Sequence, residues 1–543
     1  MLVAVFACAV ALRGAAPGAI ERQVLDADGR PITTIFNAGD EHSPFPGLGF
    51  DPALLIEALS HEKSVASDSS QAPLSYQLTE RFDHSDGTYL HFEAREWGLR
   101  VLGTEIVVVV TPKGQLEGVS GRLWGYDDVV TDAPVLPLSH VLNGYGLANC
   151  NVDECDRILS DEAISPLFGE RVWILSFADG RIDIVGQTSG ELLGSDPGYV
   201  DYAGHTSVNI RRATFSASNP TIPNGNVVST EFAGYDPDFW IPSNCIWQLG
   251  WLPSGVSNRL ERTWSECCTD VSEYEPCGST PTFGGSTGSD VNQQNGYFWV
   301  KNTRDWLMAH PWTDHPQTEE ANVRVYTDDD APCYTSDDGC YYTQWHTVYL
   351  KDGPLATSFW VPSHEYGHYF VQSYGGLDNL CTFQVNEGRA INEAIADAVS
   401  WLSILTSTDV NGTYTSELSN LTRNPVARQH NEQIIAYTNK CASSSYDHGD
   451  AFRQAVWEIM NNLDCGATTV CDNSTAYGDD IWIGSTRSVV RDRVGSAIAK
   501  ALKSTPKNTT FSSIVAWMIA DINATSGNTV GTRAYAVFAH HGH

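Results

Sequence analysis

Apolar positions recur with one period through the front of the chain and with another through its last third. From Ser75 to about Tyr126 the residues read as strands and turns. In "GTEIVVVVTPKGQLEGVSGRL" the β-branched run Ile106 to Val110 meets a turn at Pro112-Lys113-Gly114 and then a second strand, which predicts a hairpin. Between Leu138 and Leu193 a helical start at "SHVLNGYGL" precedes strands in "RVWILSFA" and "RIDIVGQTSGEL", with a turn at Asp179-Gly180. From Asp196 to about Ser289 the chain is rich in Gly, Ser, Pro and Cys, as loops, twisted strands and bridges require. After it, "YFWVKNTRDWLMAH" has helical spacing, while "ANVRVYTDDD" and "TQWHTVYLKDG" read as strands. Four helical windows follow: "SFWVPSHEYGHYFVQS", "GRAINEAIADAVSWLSIL", "HGDAFRQAVWEIMNNL" and "SVVRDRVGSAIAKAL". The fold class is therefore α+β, strand-rich first and mainly helical afterwards.

Length changes this picture by dividing it: 543 residues exceed one ordinary core and suggest two to four domains. The charge balance of 32 Lys+Arg against 66 Asp+Glu gives a formal net of -34. That field repels phosphate backbones and anionic lipid, so no nucleic-acid partner is expected. Residues 1–18, within "MLVAVFACAVALRGAAPGA", pair an apolar run with small residues like a secretion signal, without the usual positive start. No later stretch reaches eighteen uninterrupted apolar residues, so no membrane span is expected. Of the 13 cysteines Cys8 lies in that first segment, leaving twelve. Cys150 with Cys155, Cys333 with Cys340 and Cys465 with Cys471 form short-loop pairs, and no paired Cys-x-x-Cys zinc spacing occurs. Disulfides and an extracellular location are the expectation. The partners of Cys245, Cys267, Cys268, Cys277, Cys381 and Cys441 stay open.

The chemistry concentrates in "SHEYGH". Pro362 suits a first helical turn, and Gly375-Gly376 marks a stop. Between them His364 and His368 lie one turn apart on one helix face, close enough to converge on one ion. Glu365 starts on the adjacent face, from which a carboxylate can take a proton from water activated at that ion. Two histidines alone also describe a solvated helix, so a third ligand decides. Glu393 follows in "RAINEAIADAVSW", where Ile391, Ile395 and Val399 recur at helical spacing. Glu393 and Asp397 share a face, the first placed to complete a metal shell and the second to accept a ligand histidine's other N–H.

"HEYGH" followed by "AINEAIAD" resembles the gluzincin zinc peptidases, and "INEAIAD" is similar to the thermolysin family's Asn-Glu-x-x-Ser-Asp segment, with Ala396 in place of Ser. The resemblance implies that His364, His368 and Glu393 bind zinc and that Glu365 is the general base. It also implies Asp397 and Asn392 as hydrogen-bond partners of the ligands. "YDHGDAFRQAVWEI" resembles the thermolysin- and fungalysin-type segment that supplies an oxyanion donor, which would make His448 that donor, with Asp447 as an orienting candidate and Tyr446 a further candidate. "YLHFEAREWGLRVLGTEIVVVVTPKGQLEGVSGRL" resembles the propeptide module of the same enzymes, and residues 138–195 resemble its second part in outline.

The implied plan is a signal-like segment 1–18, a propeptide 19–200 (with 75–127 and 138–195 as its modules) and a thermolysin-like two-lobe peptidase 201–543. The strand-rich lobe would run to about residue 360 and the helical lobe over 361–543, with propeptide removal between about Asp196 and Val227. The expected function is a secreted zinc endopeptidase acting on protein or peptide substrates and held inactive by its own propeptide. "TQWHTVYLKDG" would be the sheet edge that pairs with substrate. A zinc exopeptidase and a non-catalytic secreted adhesin are the alternatives. The acidic loop "YTDDDAPCYTSDDGC" is a candidate Ca2+ site lacking EF-hand spacing, and a solvated loop closed by Cys333 and Cys340 is the simpler reading.

Overall fold

The computed structural model describes residues 20–25, 31–36, 75–121, 135–144, 159–165, 169–177, 181–196, 199–201, 246–250, 259–263, 299–300, 303–304, 306–307, 309–310, 322–326, 339–343, 347–351, 360–374, 377, 387–404, 449–460, 481–482, 485 and 487–543. The signal-like segment, His448 with Tyr446 and Asp447, the acidic run 327–338 and every cysteine but Cys340 lie outside them. The fold is mixed α+β, with a strand-rich N-terminal part and a helical C-terminal part.

The first part comprises β1 (Ile20–Leu25), β2 (Pro31–Phe36), β3 (Ser75–His84), β4 (Gly87–Glu96), β5 (Leu99–Val101), β6 (Ile106–Val110) and β7 (Leu116–Gly121). After them come α1 (Leu138–Gly144), β8 (Leu159–Ser165), β9 (Glu170–Ser176), β10 (Ile182–Gly186) and β11 (Leu192–Asp196). All eleven strands join one sheet in the order β1-β2-β7-β6-β4-β5-β8-β9-β10-β11, with β3 paired to β4. The stretches 75–127 and 138–195, read from sequence as two modules, are thus stitched together by the parallel pair β5–β8.

The hairpin β6–β7 explains its own sequence. Val107 and Val109 face the core of the helical part, whereas Ile106 and Val108 pack with Tyr76, Leu90, Phe92 and Leu116 on the opposite face. A strand covered on both sides has no polar alternation to show. Its turn closes with Thr111 N donating to Gln115 O at 2.8 Å, and Gly114 takes the positive φ of 76° that the chain reversal needs.

A second, six-stranded sheet has the order β12-β16-β17-β15-β13-β14. Its members are β12 (Tyr199–Asp201), β13 (Ile246–Gly250), β14 (Arg259–Thr263), β15 (Asn322–Tyr326), β16 (Gly339–Tyr342) and β17 (Thr347–Lys351). The expected edge strand in "TQWHTVYLKDG" is therefore not an edge: β17 lies between β16 and β15, antiparallel to the first and parallel to the second. The outer side of β16 carries β12 instead, with Tyr199, Val200 and Asp201 opposite Tyr342, Tyr341 and Cys340.

The helices are α2 (Trp360–Ser373), α3 (Gly388–Ile404), α4 (Asp450–Met460), α5 (Arg487–Ser504), α6 (Phe511–Ser526) and α7 (Asn528–His540). They enclose one core that includes Phe370, Ile395, Trp401, Trp457, Ile498, Trp517 and Phe538. The same core takes in Ile35, Tyr89, Val107 and Val109 from the first sheet. Helix α6 is apolar nearly all round because both the sheet and its neighbouring helices cover it, and Thr510 caps its start by accepting from Ser513 N at 3.2 Å.

Polar contacts rim this junction. Trp517 Nε1 donates to Ser120 Oγ at 2.8 Å, and its ring lies over Gly118, where a Cβ would come within 2.5 Å of Cη2. Lys500 meets Glu117 at 2.7 Å, Lys503 meets Asp86 at 2.9 Å, and Lys507 N donates to Glu105 at 2.6 Å. Burial works against ionised Asp86, yet Lys503 and Lys500 outweigh it and hold its carboxyl below the ordinary 3.8. Asp521 beside them shows the reverse balance. Burial, with Asp86 and Glu117 adding to it, pushes its carboxyl to about 6 despite Lys500 and the hydrogen bond from Ser496.

A raised acid binds its proton more tightly folded than unfolded. Asp521 therefore favours folding fully below its ordinary pKa, and that contribution is lost as pH rises through about 6. Between pH 4 and 7.5 the protein should lose on the order of 2 kcal/mol through this group. Asp521→Asn should lack that loss; urea unfolding of both chains with the same pH slope would contradict it.

Candidate metal centre

The centre is built on two helices that touch where their side chains are smallest. In α2 Pro362 occupies the first turn, and Ser373 Oγ bonds Phe370 O at 2.7 Å where the helix ends. Gly367 of α2 faces Ala396 of α3 so closely that a Cβ at 367 would lie 2.6 Å from the Ala396 Cα. The helix carrying the histidines is no solvated one: His364 and His368 are 0% and 1% exposed, and Glu393 of α3 is 0% exposed.

That contact brings three donors to one point. His364 Nε2 lies 3.1 Å from His368 Nε2 and 3.3 Å from a Glu393 oxygen, and His368 Nε2 is 3.9 Å from the other Glu393 oxygen. One ligand atom from each of His364, His368 and Glu393 lies within 4.8 Å of the others, and among the described residues this is the one such group. Two imidazoles and a carboxylate so placed fit a divalent cation. The metal's positive charge would also offset the cost of burying Glu393.

The far side of each ring is fixed. His364 Nδ1 donates to Asp397 Oδ1 at 2.6 Å, and His368 Nδ1 donates to Asn392 Oδ1 at 2.9 Å. A carboxylate can only accept, so the His364 proton belongs on Nδ1 and the Nε2 lone pair faces the cluster. Burial pushes the His368 imidazolium down to about 4, with Glu393 only partly opposing, so His368 is neutral at pH 7, the form a ligand requires. At His364 burial acts in the same direction, but Asp397 and Glu393 outweigh it and raise the ring above the ordinary 6.5.

Glu365, the neighbour of His364 in sequence, is 0% exposed and lies against β16. A Cβ at Gly339 would come 2.8 Å from Val361 Cγ1 and 3.2 Å from Glu365 Oε1, so a side chain at 339 would crowd the start of α2 and the carboxylate together. Two residues on, Tyr341 stacks on His368 with ring centroids 6.4 Å apart, and its hydroxyl bonds Gln372. Neither residue stood out in the sequence, where both fall at the end of an acidic loop. Arg453 of α4 was equally silent: it is 3% exposed, and its Nη1 donates to Asp397 Oδ2 at 2.6 Å. The readable clue was an arginine inside the apolar window "DAFRQAVWEIM". Helix α4 sits close to α3 because a Cβ at Gly449 would lie 2.9 Å from Ala390 O.

No protein-family model matches the sequence, and no curated protein is significantly similar to it. The centre therefore rests on its geometry: a buried His-His-Glu cluster able to hold a metal ion.

Glu393→Gln should release metal on dialysis against metal-free buffer, and unchanged metal content would remove Glu393 from the set. Gly367→Ala must push α2 from α3. It should cost about 1–3 kcal/mol of stability and lower metal retention with it; a full complement of metal at an unchanged unfolding midpoint would show that the close approach does not matter.

Proposed function

We propose that the chain is a secreted zinc endopeptidase of the thermolysin/fungalysin type, made as a proenzyme. Residues 201–543 would be the peptidase and 19–200 its propeptide. One observation carries this reading. His364, His368 and Glu393 converge from two helices, with Glu365 directly following a ligand. Two histidines and a carboxylate with a fourth position left for solvent are the donor set of catalytic zinc in peptidases.

When bound there, zinc would polarise the scissile carbonyl and acidify water. Glu365 would accept the proton of the attacking water at a carboxylate oxygen and pass it to the leaving amine nitrogen. Asp397 and Asn392 hold the two imidazoles with their lone pairs inward, so neither ring must reorient. His448 would donate to the carbonyl oxygen as negative charge develops.

Support for a peptide substrate comes from β16, which runs from Gly339 beside Glu365 to Tyr341 against His368. An extended piece of this chain, β12, pairs antiparallel with it, so a peptide backbone fits that edge. Because β12 directly follows the N-terminal sheet, the same pairing supports a self-blocked proenzyme in which substrate must displace Tyr199–Asp201. The disulfide-bonded Cys340 supports an oxidising compartment.

Casein hydrolysis that stops with chelator and returns with zinc is the expected outcome for the processed protein; hydrolysis indifferent to chelator, or none at all with zinc bound, refutes the proposal. Glu365→Gln should keep its metal and lose at least about 100-fold in kcat. Near-normal turnover would exclude it as the base. Peptides with blocked amino termini should be cut as well as free ones, and failure on blocked peptides would make the enzyme an exopeptidase.

A further inference from the structure

We infer that Arg453 is a positioning residue for the metal centre: it acts through Asp397 to fix the orientation of His364. The inference rests on the metal reading of the cluster and reaches it from a helix that supplies none of the three ligands.

Asp397 is 0% exposed and sits between two other helices. Its Oδ1 accepts from His364 Nδ1 of α2 at 2.6 Å, and its Oδ2 accepts from Arg453 Nη1 of α4 at 2.6 Å. Both are charge-assisted bonds of short length, and they hold the two oxygens from opposite partners. A carboxylate held at one end only can rotate about its last torsion, because terminal sp3–sp2 torsions are soft. With both oxygens engaged, its plane is set, and the direction of the His364 Nδ1–H is set with it. That direction decides where the Nε2 lone pair points, 3.1 Å from His368 Nε2 and 3.3 Å from Glu393.

Arg453 is itself well placed for this. Gly449 brings the start of α4 against α3, and one turn later Arg453 N bonds Gly449 O at 2.9 Å, so its side chain leaves a stretch already pinned to α3. Its charge also stabilises a buried Asp397 carboxylate, and the planar guanidinium offers a directed donor that a lysine ammonium lacks.

The test titrates the metal-stripped full chain with Co2+, following the visible ligand-field bands, and measures thermal unfolding of the metal-free forms separately. Arg453→Met should weaken Co2+ binding about 10- to 100-fold and alter the bands. Arg453→Lys, which keeps charge but not the planar fork, should lose about 3- to 10-fold. In an Asp397→Asn background the Met substitution should add less than about 3-fold, because the path through residue 397 is already cut.

Co2+ affinity within about 2-fold of wild type in folded Arg453→Met, with the same bands, overturns the inference while leaving the metal reading intact. Effects of Asp397→Asn and Arg453→Met that multiply independently overturn it too. If Arg453→Met does not fold, Arg453→Lys decides: weaker binding at an unchanged unfolding midpoint supports the role, and unchanged binding refutes it. A wild-type chain that takes up no Co2+ overturns the metal reading and this inference together.

Discussion

Donors on two neighbouring helices can share one small cation only if the backbones come near. Ordinary side chains at the contact keep helix axes 8–10 Å apart, and the reach of histidine and glutamate is short. Gly367 against Ala396 removes that spacer at the level of the cluster, one residue before His368 and three after Glu393. The rest of the centre depends on this approach: the facing Nε2 atoms, the Glu393 carboxylate beside them, and the partners Asp397 and Asn392 behind them. Gly449 against Ala390 and Ala394 repeats the device between α3 and α4.

A buried group of ionisable side chains is costly unless each has a defined counterpart. Here the compensation is layered. The imidazoles are anchored outwardly by Asp397 and Asn392, and Asp397 in turn by Arg453. Glu393 faces inward with the two nitrogens, leaving a buried anion that a divalent cation would offset. Strand β16 contributes no charge, only a glycine beside Glu365 and an aromatic ring against His368.

Much of this was legible where a single periodicity ruled. Helix α3 falls where its apolar spacing puts it, α2 between its proline and glycine signals, and the hairpin β6–β7 where a β-branched run meets a turn; the residues of HExxH and Asn-Glu-x-x-Ala-Asp meet as their positions on two helices allow. The failures have physical causes too. Helix α6 is covered on all sides and so carries no one-faced stripe, while β16 is four residues long and follows an acidic run that reads as loop. Strand β17 was legible as a strand but not as an interior one, because its neighbours β15 and β16 are set by long-range pairing. Arg453 illustrates the general limit: the local pattern gave it no role, and only the fold shows that it is buried and what it holds.

The hydrocarbon seam between the first sheet and the helices has a further consequence. Ile35, Tyr89, Val107 and Val109 belong to the same packed interior as Trp517 and Phe538, and Lys500 and Lys503 find their anions on β7 and on the turn between β3 and β4. A cut in the connecting chain would therefore sever a covalent link without dissolving the packing that joins the pieces. The nicked protein would persist as a two-fragment assembly, and parting the fragments would be a distinct event from breaking the peptide bond, with a free-energy cost of its own.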